Sequence, residues 1–149
     1  MRAVVQRVRN AQVSVDGNMV GQIKAGLLVY LGVGKGDGEA DAAFIADKIT
    51  NLRIFADSND KMNLNVKGAA GQVLIVSNFT LFGDCRKGRR PDFDMAAEPV
   101  QAERLYEKVV ELVKAEGLEV QKGVFAAYMD VTASNDGPIN FLIDSKRQF

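Results

Sequence analysis

Histidine and tryptophan are absent from the 149 residues, cysteine occurs once and proline three times. Without histidine there is no Ser-His-Asp or Cys-His triad, and the commonest zinc-ligand sets go with it. A lone Cys85 closes no internal disulfide, which agrees with a reducing compartment. An excess of charge of either sign is also missing: Lys plus Arg and Asp plus Glu both number 19. Bulk charge therefore nominates neither a nucleic acid nor a membrane, and any such partner must be met by a local patch. The longest apolar run, around residues 27–31, is far short of the ~20 residues of a membrane span. The first residues alternate apolar and polar and carry Arg2, Arg7 and Arg9, unlike the apolar core of a signal peptide. The expectation is one soluble, cytoplasmic domain over residues 1–149, long enough to bury roughly 68–70% of its unfolded surface unaided.

What is present is a patterned chain without linkers or repeats. Alternation over residues 3–8 and 11–15 reads as two half-buried strands, and Asp16-Gly17-Asn18 as the turn into a hairpin partner at 19–23. The run 26–31 reads as a strand buried on both faces. Ala42, Ile45, Ile49 and Leu52 recur at helical spacing, with Asp37, Glu39 and Asp41 near the helix start. A second helix is expected from Pro99 to Gly117, with Ala102, Leu105, Tyr106, Val109, Leu112 and Val113 on its apolar face. Residues 72–81 read as a core strand, and 118–125, 128–133 and 139–143 as three more. This order predicts an α+β fold, not an alternating doubly wound one.

Four stretches have chemical potential. Gly32, Gly34, Gly36 and Gly38 lie between a strand and a helix, where phosphates bind, but their spacing fits neither nucleotide motif. The nearby acids would repel a phosphate, so a turn with a helix cap is the better reading. Arg86, Lys87, Arg89 and Arg90 put four cations in five residues; such clusters are often only solvated loops, yet this one suits nucleic-acid phosphates. Ser77-Asn78-Phe79-Thr80 ends an apolar strand with two hydroxyls and an amide. These residues cap a strand in most proteins, and Thr80 or Ser77 as a nucleophile would need a base that histidine cannot supply here. Asn135-Asp136-Gly137-Pro138 reads first as a turn between strands. Cys85, beside Arg86 and Lys87, is weakly suited to redox sensing.

Several stretches together resemble the D-aminoacyl-tRNA deacylase family. They are Met1-Arg2-Ala3-Val4-Val5-Gln6-Arg7-Val8, Asn51-Leu52-Arg53-Ile54-Phe55, Lys61-Met62-Asn63-Leu64-Asn65, Ser77-Asn78-Phe79-Thr80-Leu81, Lys87-Gly88-Arg89-Arg90-Pro91 and Asn135-Asp136-Gly137-Pro138. The likeness spans essentially the whole chain, in order, and two stretches match the signature motifs SQFTL and NxGPVT. It implies a single α+β domain with two packed, mostly antiparallel or mixed β-sheets (barrel-like) and two main helices. The implied enzyme is a cofactor-free, metal-free homodimer that hydrolyses the ester joining a D-amino acid to the 3′ end of tRNA. Family members also remove glycine misattached to alanine tRNA.

By the same resemblance the active site lies at the subunit interface. Phe79 and Thr80, with Asn78, match positions whose backbone holds the aminoacyl group and could stabilise its oxyanion; Ser77 borders them. Gly137 and Pro138 match a Gly-cis-Pro pair inserted from the other subunit, whose carbonyls exclude L side chains. Arg7 matches a residue that braces that pair, Met129 one that lines the pocket, and the ribose 2′-hydroxyl assists water. Arg86, Lys87, Arg89 and Arg90 are then expected on tRNA phosphates. Two departures bear on L rejection: Asn78 stands where the family has Gln, and Ile139-Asn140 where it has Val-Thr. The alternatives are an RNA-binding dimer without catalysis and an esterase with Thr80 as nucleophile.

Overall fold

A computed structural model describes all residues, 1–149. The first strand, β1 (Arg2–Val15), is a single ribbon of 14 residues where the alternation suggested two strands. It turns at Asp16-Gly17 into β2 (Asn18–Ile23), with φ of 49° and 77° at the two turn residues. Positive φ at both central positions is the hairpin geometry whose twist matches its strands, and Asp-Gly favours it. β3 (Gly26–Gly32) runs antiparallel to the first half of β1, with Arg2 opposite Gly32 and Val8 opposite Gly26.

Helix α1 (Glu39–Asn51) follows the glycine-rich turn. Its first turn is held by Asp41, whose carboxylate accepts the Gly38 N–H at 2.9 Å. Asp37 serves a different purpose: its carboxylate accepts the Gly34 N–H at 2.6 Å and lies 2.8 Å from the Met1 α-ammonium. A small hairpin that the patterning did not suggest, β4 (Phe55–Ala56) and β5 (Met62–Leu64), precedes β6 (Gln72–Ser77). Helix α2 (Pro99–Ala115) begins at the expected proline and ends before Gly117, at φ +81°. The short β7 (Val120–Lys122) and the long β8 (Asp130–Asp144) complete the chain.

The strands form one six-stranded sheet in the order β2-β1-β3-β6-β7, with β8 also paired to β1, and a separate two-stranded sheet of β4 and β5. The two sheets of the α+β fold are thus very unequal. The pairs β3–β6 and β6–β7 are parallel and each is bridged by a helix, as parallel neighbours require. The large sheet curls until β2 meets β7: a Cβ on Gly21 would lie 2.9 Å from the Lys122 carbonyl. One face packs on both helices through Val5, Val29, Ile75, Ile45 and Val109. The other closes on itself around Val8, Val13, Ile23, Leu28 and Leu74, giving the barrel its interior.

Besides β1, three expected readings differ. The strand over 72–81 stops at Ser77, and Phe79–Phe82 form a 3-10 turn. Asn78 accounts for the break, because its side-chain oxygen accepts the Thr80 N–H at 3.1 Å and starts the turn. Of residues 118–125 only 120–122 pair as a strand. Residues 128–133 and 139–143 belong to one strand, β8, so Asn135-Asp136-Gly137-Pro138 is not a turn between two strands. Gln6 pairs with Asn140 and Val8 with Asn135, so residues 136–139 bulge out opposite Arg7 alone.

Candidate active site

The parallel strands β3 and β6 end side by side, Leu31 opposite Ser77, beside the start of α2. Beyond these ends opens a cavity of about 720 Å³. Its wall includes Ser77, Asn78, Phe79, Thr80 and Met129, five residues expected at the acyl site. Gly137, Pro138 and Arg7 do not line it, so a single chain leaves the expected site without its Gly-Pro pair. The 137–138 peptide is cis, and both residues are exposed on the bulge.

No Asp, Glu, Lys or Arg lines this cavity; fifteen of its nineteen residues are hydrophobic. Its side-chain polar groups are hydroxyls and one amide. Tyr106, buried in the wall, donates its hydroxyl to the Ile75 carbonyl at 2.9 Å, and burial followed by the charge of Glu107 pushes its pKa up. Burial also raises the Tyr30 phenol. Neither group is near neutrality, so neither is poised as a general base at pH 7.

The polar chemistry therefore concentrates on the 3-10 turn. The Asn78 N–H donates to the Leu31 carbonyl at 2.8 Å, continuing the β3–β6 contact by one residue. Both the N–H and the hydroxyl of Thr80 donate to the Asn78 side-chain oxygen. An amide oxygen is no base, so this hydroxyl is positioned but not activated. Phe79 is more than half exposed, and its ring meets Phe93 edge-on at 5.1 Å.

Phe93 belongs to the segment that carries the basic cluster. The bridge between Asp84 and Asp92 closes residues 85–91 into an exposed loop next to the turn. Arg86 is folded back on Asp84, with Nη2 2.6 Å from its carboxylate. Hydrogen bonds from the Arg86 side chain and N–H bring the Asp84 carboxyl down to about 2. Lys87, Arg89 and Arg90 form no ion pair and project freely. Cys85 is exposed beside them.

The bulge at 136–139 is tied back to β1. Asn135 donates its side-chain amide to the Arg7 carbonyl at 2.8 Å and to the Ile139 carbonyl at 3.3 Å. Arg7 Nη1 donates to the Ile54 carbonyl at 2.7 Å, and Arg7 Nε lies 2.9 Å from the Asp136 carboxylate. Asn140, one of the two departures, accepts from the Gln6 amide at 2.9 Å. Reasoning from sequence gave no site role to Tyr30, to Tyr106 beyond the apolar face of its helix, or to Asp136 beyond its motif. Nothing local marks the roles of Tyr106 and Asp136, because their partners, Ile75 and Arg7, lie far along the chain.

A family model described as D-Tyr-tRNA(Tyr) deacylase matches residues 4–144. The chain is 56% identical to the D-aminoacyl-tRNA deacylase of Fervidobacterium nodosum over the whole of both chains. It is 54% identical to that of Alkaliphilus metalliredigens, again over both full lengths. Among solved structures it resembles the c-Myc DNA unwinding element binding protein, with a TM-score of 0.91 and 36% identity over 97% of this chain and 98% of that one. No helix is long and apolar enough to cross a membrane.

Proposed function

The chain belongs to the D-Tyr-tRNA(Tyr) deacylase family and is a hydrolase of the aminoacyl-tRNA ester bond; from that premise we propose how it selects and cleaves its substrate. The substrate is tRNA carrying a D-amino acid on its 3′ end, and glycine misattached to alanine tRNA is a second one. The observation that carries this reading is the carboxylate-free cavity beside the 78–80 turn, which offers only amides and hydroxyls for chemistry.

An aminoacyl ester is activated, so positioning and charge stabilisation suffice to speed its hydrolysis. As water attacks, negative charge grows on the carbonyl oxygen. Of the three amide groups at 78–80, that of Asn78 is taken by Leu31 and that of Thr80 by the Asn78 side chain. The Phe79 N–H is the one left for the oxyanion, and a single donor of this kind contributes ~10²–10³ in rate. The substrate's own 2′-hydroxyl orients the water, and no side chain of the enzyme forms a covalent intermediate.

Selection requires a second copy of the chain. Gly137 and Pro138 of the partner subunit reach the cavity and set their carbonyls where an L side chain would stand, so L esters are excluded by backbone and glycine passes. The exposed bulge and β8 support this arrangement: β8 pairs only with β1, and Leu142 on it is two-thirds exposed. The neighbouring Lys87, Arg89 and Arg90 hold tRNA phosphates. The deciding experiment compares D-tyrosyl-, L-tyrosyl- and glycyl-tRNA with EDTA present. Loss of the D and glycyl esters with the L ester intact is the expected result. Equal loss of D and L would remove the chiral filter, and no turnover would leave an RNA-binding dimer.

A further inference from the structure

None of the four residues of the 3-10 turn Phe79–Phe82 is fully buried: Phe79 and Thr80 are exposed, Leu81 and Phe82 half-buried. Burial of Leu81 and Phe82 therefore holds it only in part, although the proposed chemistry needs the Phe79 N–H in one place. Two constraints come from the chain beneath and before it. A Cβ on Gly32 would lie 2.9 Å from the Asn78 carbonyl and 3.2 Å from Leu81, and one on Gly34 would lie 2.5 Å from the Phe82 ring. Only glycine at these two positions lets the turn sit so close to the end of β3. Asn78 ties down the start of the turn, as described above.

Its far end is held by Arg2, the second residue of the chain. Arg2 Nη1 donates to the Leu81 carbonyl at 3.0 Å, Nε to the Asp144 carboxylate at 3.1 Å and Nη2 to the Gln148 side chain at 3.1 Å. The guanidinium carbon lies 4.6 Å from the Phe82 ring centre and 5.7 Å from that of Phe149. Asp144 is itself fixed: it faces Arg2 in the β1–β8 register, is almost fully buried and accepts the Lys146 N–H at 2.6 Å. The guanidinium thus spans from a rigid carboxylate to a carbonyl of a turn that is only partly buried. Arg2 does not line the cavity.

We propose that Arg2 is a positioning residue for the hydrolytic site, holding the 3-10 turn that presents the Phe79 N–H. This role rests on the deacylase reading. It demands arginine, because the planar fork makes three directed bonds and stacks on Phe82, whereas a lysine ammonium is a point charge that cannot do both.

The test pairs kinetics with amide exchange on the full chain. In Arg2→Lys and Arg2→Met, kcat for D-tyrosyl-tRNA is expected to fall at least tenfold with KM within twofold. Amides of residues 80–83 should exchange at least tenfold faster while those of β6 keep their protection. Asp144→Asn, which keeps the shape of the anchor but not its charge, should give a smaller change of the same kind. A kcat within twofold of the unaltered chain, or a loss that merely tracks the folded fraction while the turn's exchange is unchanged, would overturn the proposal. If Arg2→Met does not fold, Arg2→Lys and Asp144→Asn decide. Should the unaltered chain hydrolyse no ester, the deacylase reading fails, and the exchange arm still shows whether Arg2 holds the turn.

Discussion

Arg7 and Asp136 meet across the break in the β1–β8 ladder, the guanidinium Nε 2.9 Å from the carboxylate. The Nε atom is buried and has no aligned hydrogen bond, so charge attraction carries the contact. Arg9 approaches the same carboxylate at 3.3 Å from a more exposed position. Two cations on one strand thus hold the root of the bulge that presents Gly137 and Pro138.

Replacing Asp136 with Asn should therefore loosen the bulge without unfolding the chain. The expected result is a D-ester rate within about threefold of the unaltered enzyme and an L-ester rate raised about tenfold. Arg7→Met should raise it further, since it also removes the bond to the Ile54 carbonyl. Rates on matched D- and L-tyrosyl-tRNA check both. An unchanged D/L ratio in Asp136→Asn would show that Asn135 alone fixes the bulge.

Thr80 provides a second test. Its hydroxyl is committed to the Asn78 amide and has no base beside it, so Thr80→Ala should keep a substantial part of the activity, about a tenth or more, with no acyl-enzyme to trap. Asn78→Ala should be worse, because it frees the start of the turn; loss of a capping side chain costs ~1 kcal/mol in stability. Single-turnover rates with acid quench and mass spectrometry of the intact chain separate the two roles. Complete inactivity of Thr80→Ala together with an adduct in the unaltered enzyme would restore the nucleophile.

Much of this architecture is visible in local pattern. Ala42, Ile45 and Ile49 mark α1, and Leu105, Val109 and Val113 mark α2, because all lie on one face of a helix and all are fully buried. Pro99, Gly117 and Asp16-Gly17 sit where their backbone preferences place them. The end of β6 was hidden because residues 79, 81 and 82 are as apolar as the strand before them, and the polar Ser77, Asn78 and Thr80 between them do not by themselves mark where the strand stops. The bulge at 136–139 was unreadable for a different reason. It exists because Arg7 takes the place opposite it, and the two are more than a hundred residues apart. Family motifs pointed to Phe79 and Thr80 by likeness, but the hydrogen bonds that leave only the Phe79 N–H available emerge from the fold.

The basic loop makes a quantitative prediction about salt. Arg86 is already paired with Asp84, so under the proposed phosphate contact Lys87, Arg89 and Arg90 are the cations that displace counterions from RNA. On a single-stranded end each phosphate contact contributes ~0.7 to the slope of log affinity against log salt. Arg89→Ala plus Arg90→Ala should reduce that slope by about 1.4, raise KM at physiological salt and leave kcat at saturation within twofold. Arg86→Ala should change the slope little. Binding titrations at three salt concentrations test this, and equal effects from Arg86 and Arg89 would mean that the Asp84 pair opens on the RNA.

Stability at low pH should be governed in part by Asp41, which does not line the cavity. Burial pushes its carboxyl upward, but hydrogen bonds from Lys146, Ser145 and the Gly38 N–H outweigh this and bring the pKa to about 2. Ser145 Oγ lies 2.7 Å and Lys146 Nζ 2.8 Å from the carboxylate. In the unfolded chain the same group titrates at ~3.9. A carboxyl with a depressed folded pKa stabilises fully above the unfolded value and loses that contribution as the pH falls through the folded one. The effect is therefore flat from neutrality to about pH 5 and fades between about pH 4 and 2. Solvent screening of the Lys146 partner limits it to ~1 kcal/mol, or about 2–4 °C in Tm for a chain of this size. Asp41→Asn should show that loss at pH 7 and a correspondingly smaller decline in Tm between pH 4 and 2. Parallel Tm curves for the two proteins over that interval would place the acid sensitivity elsewhere.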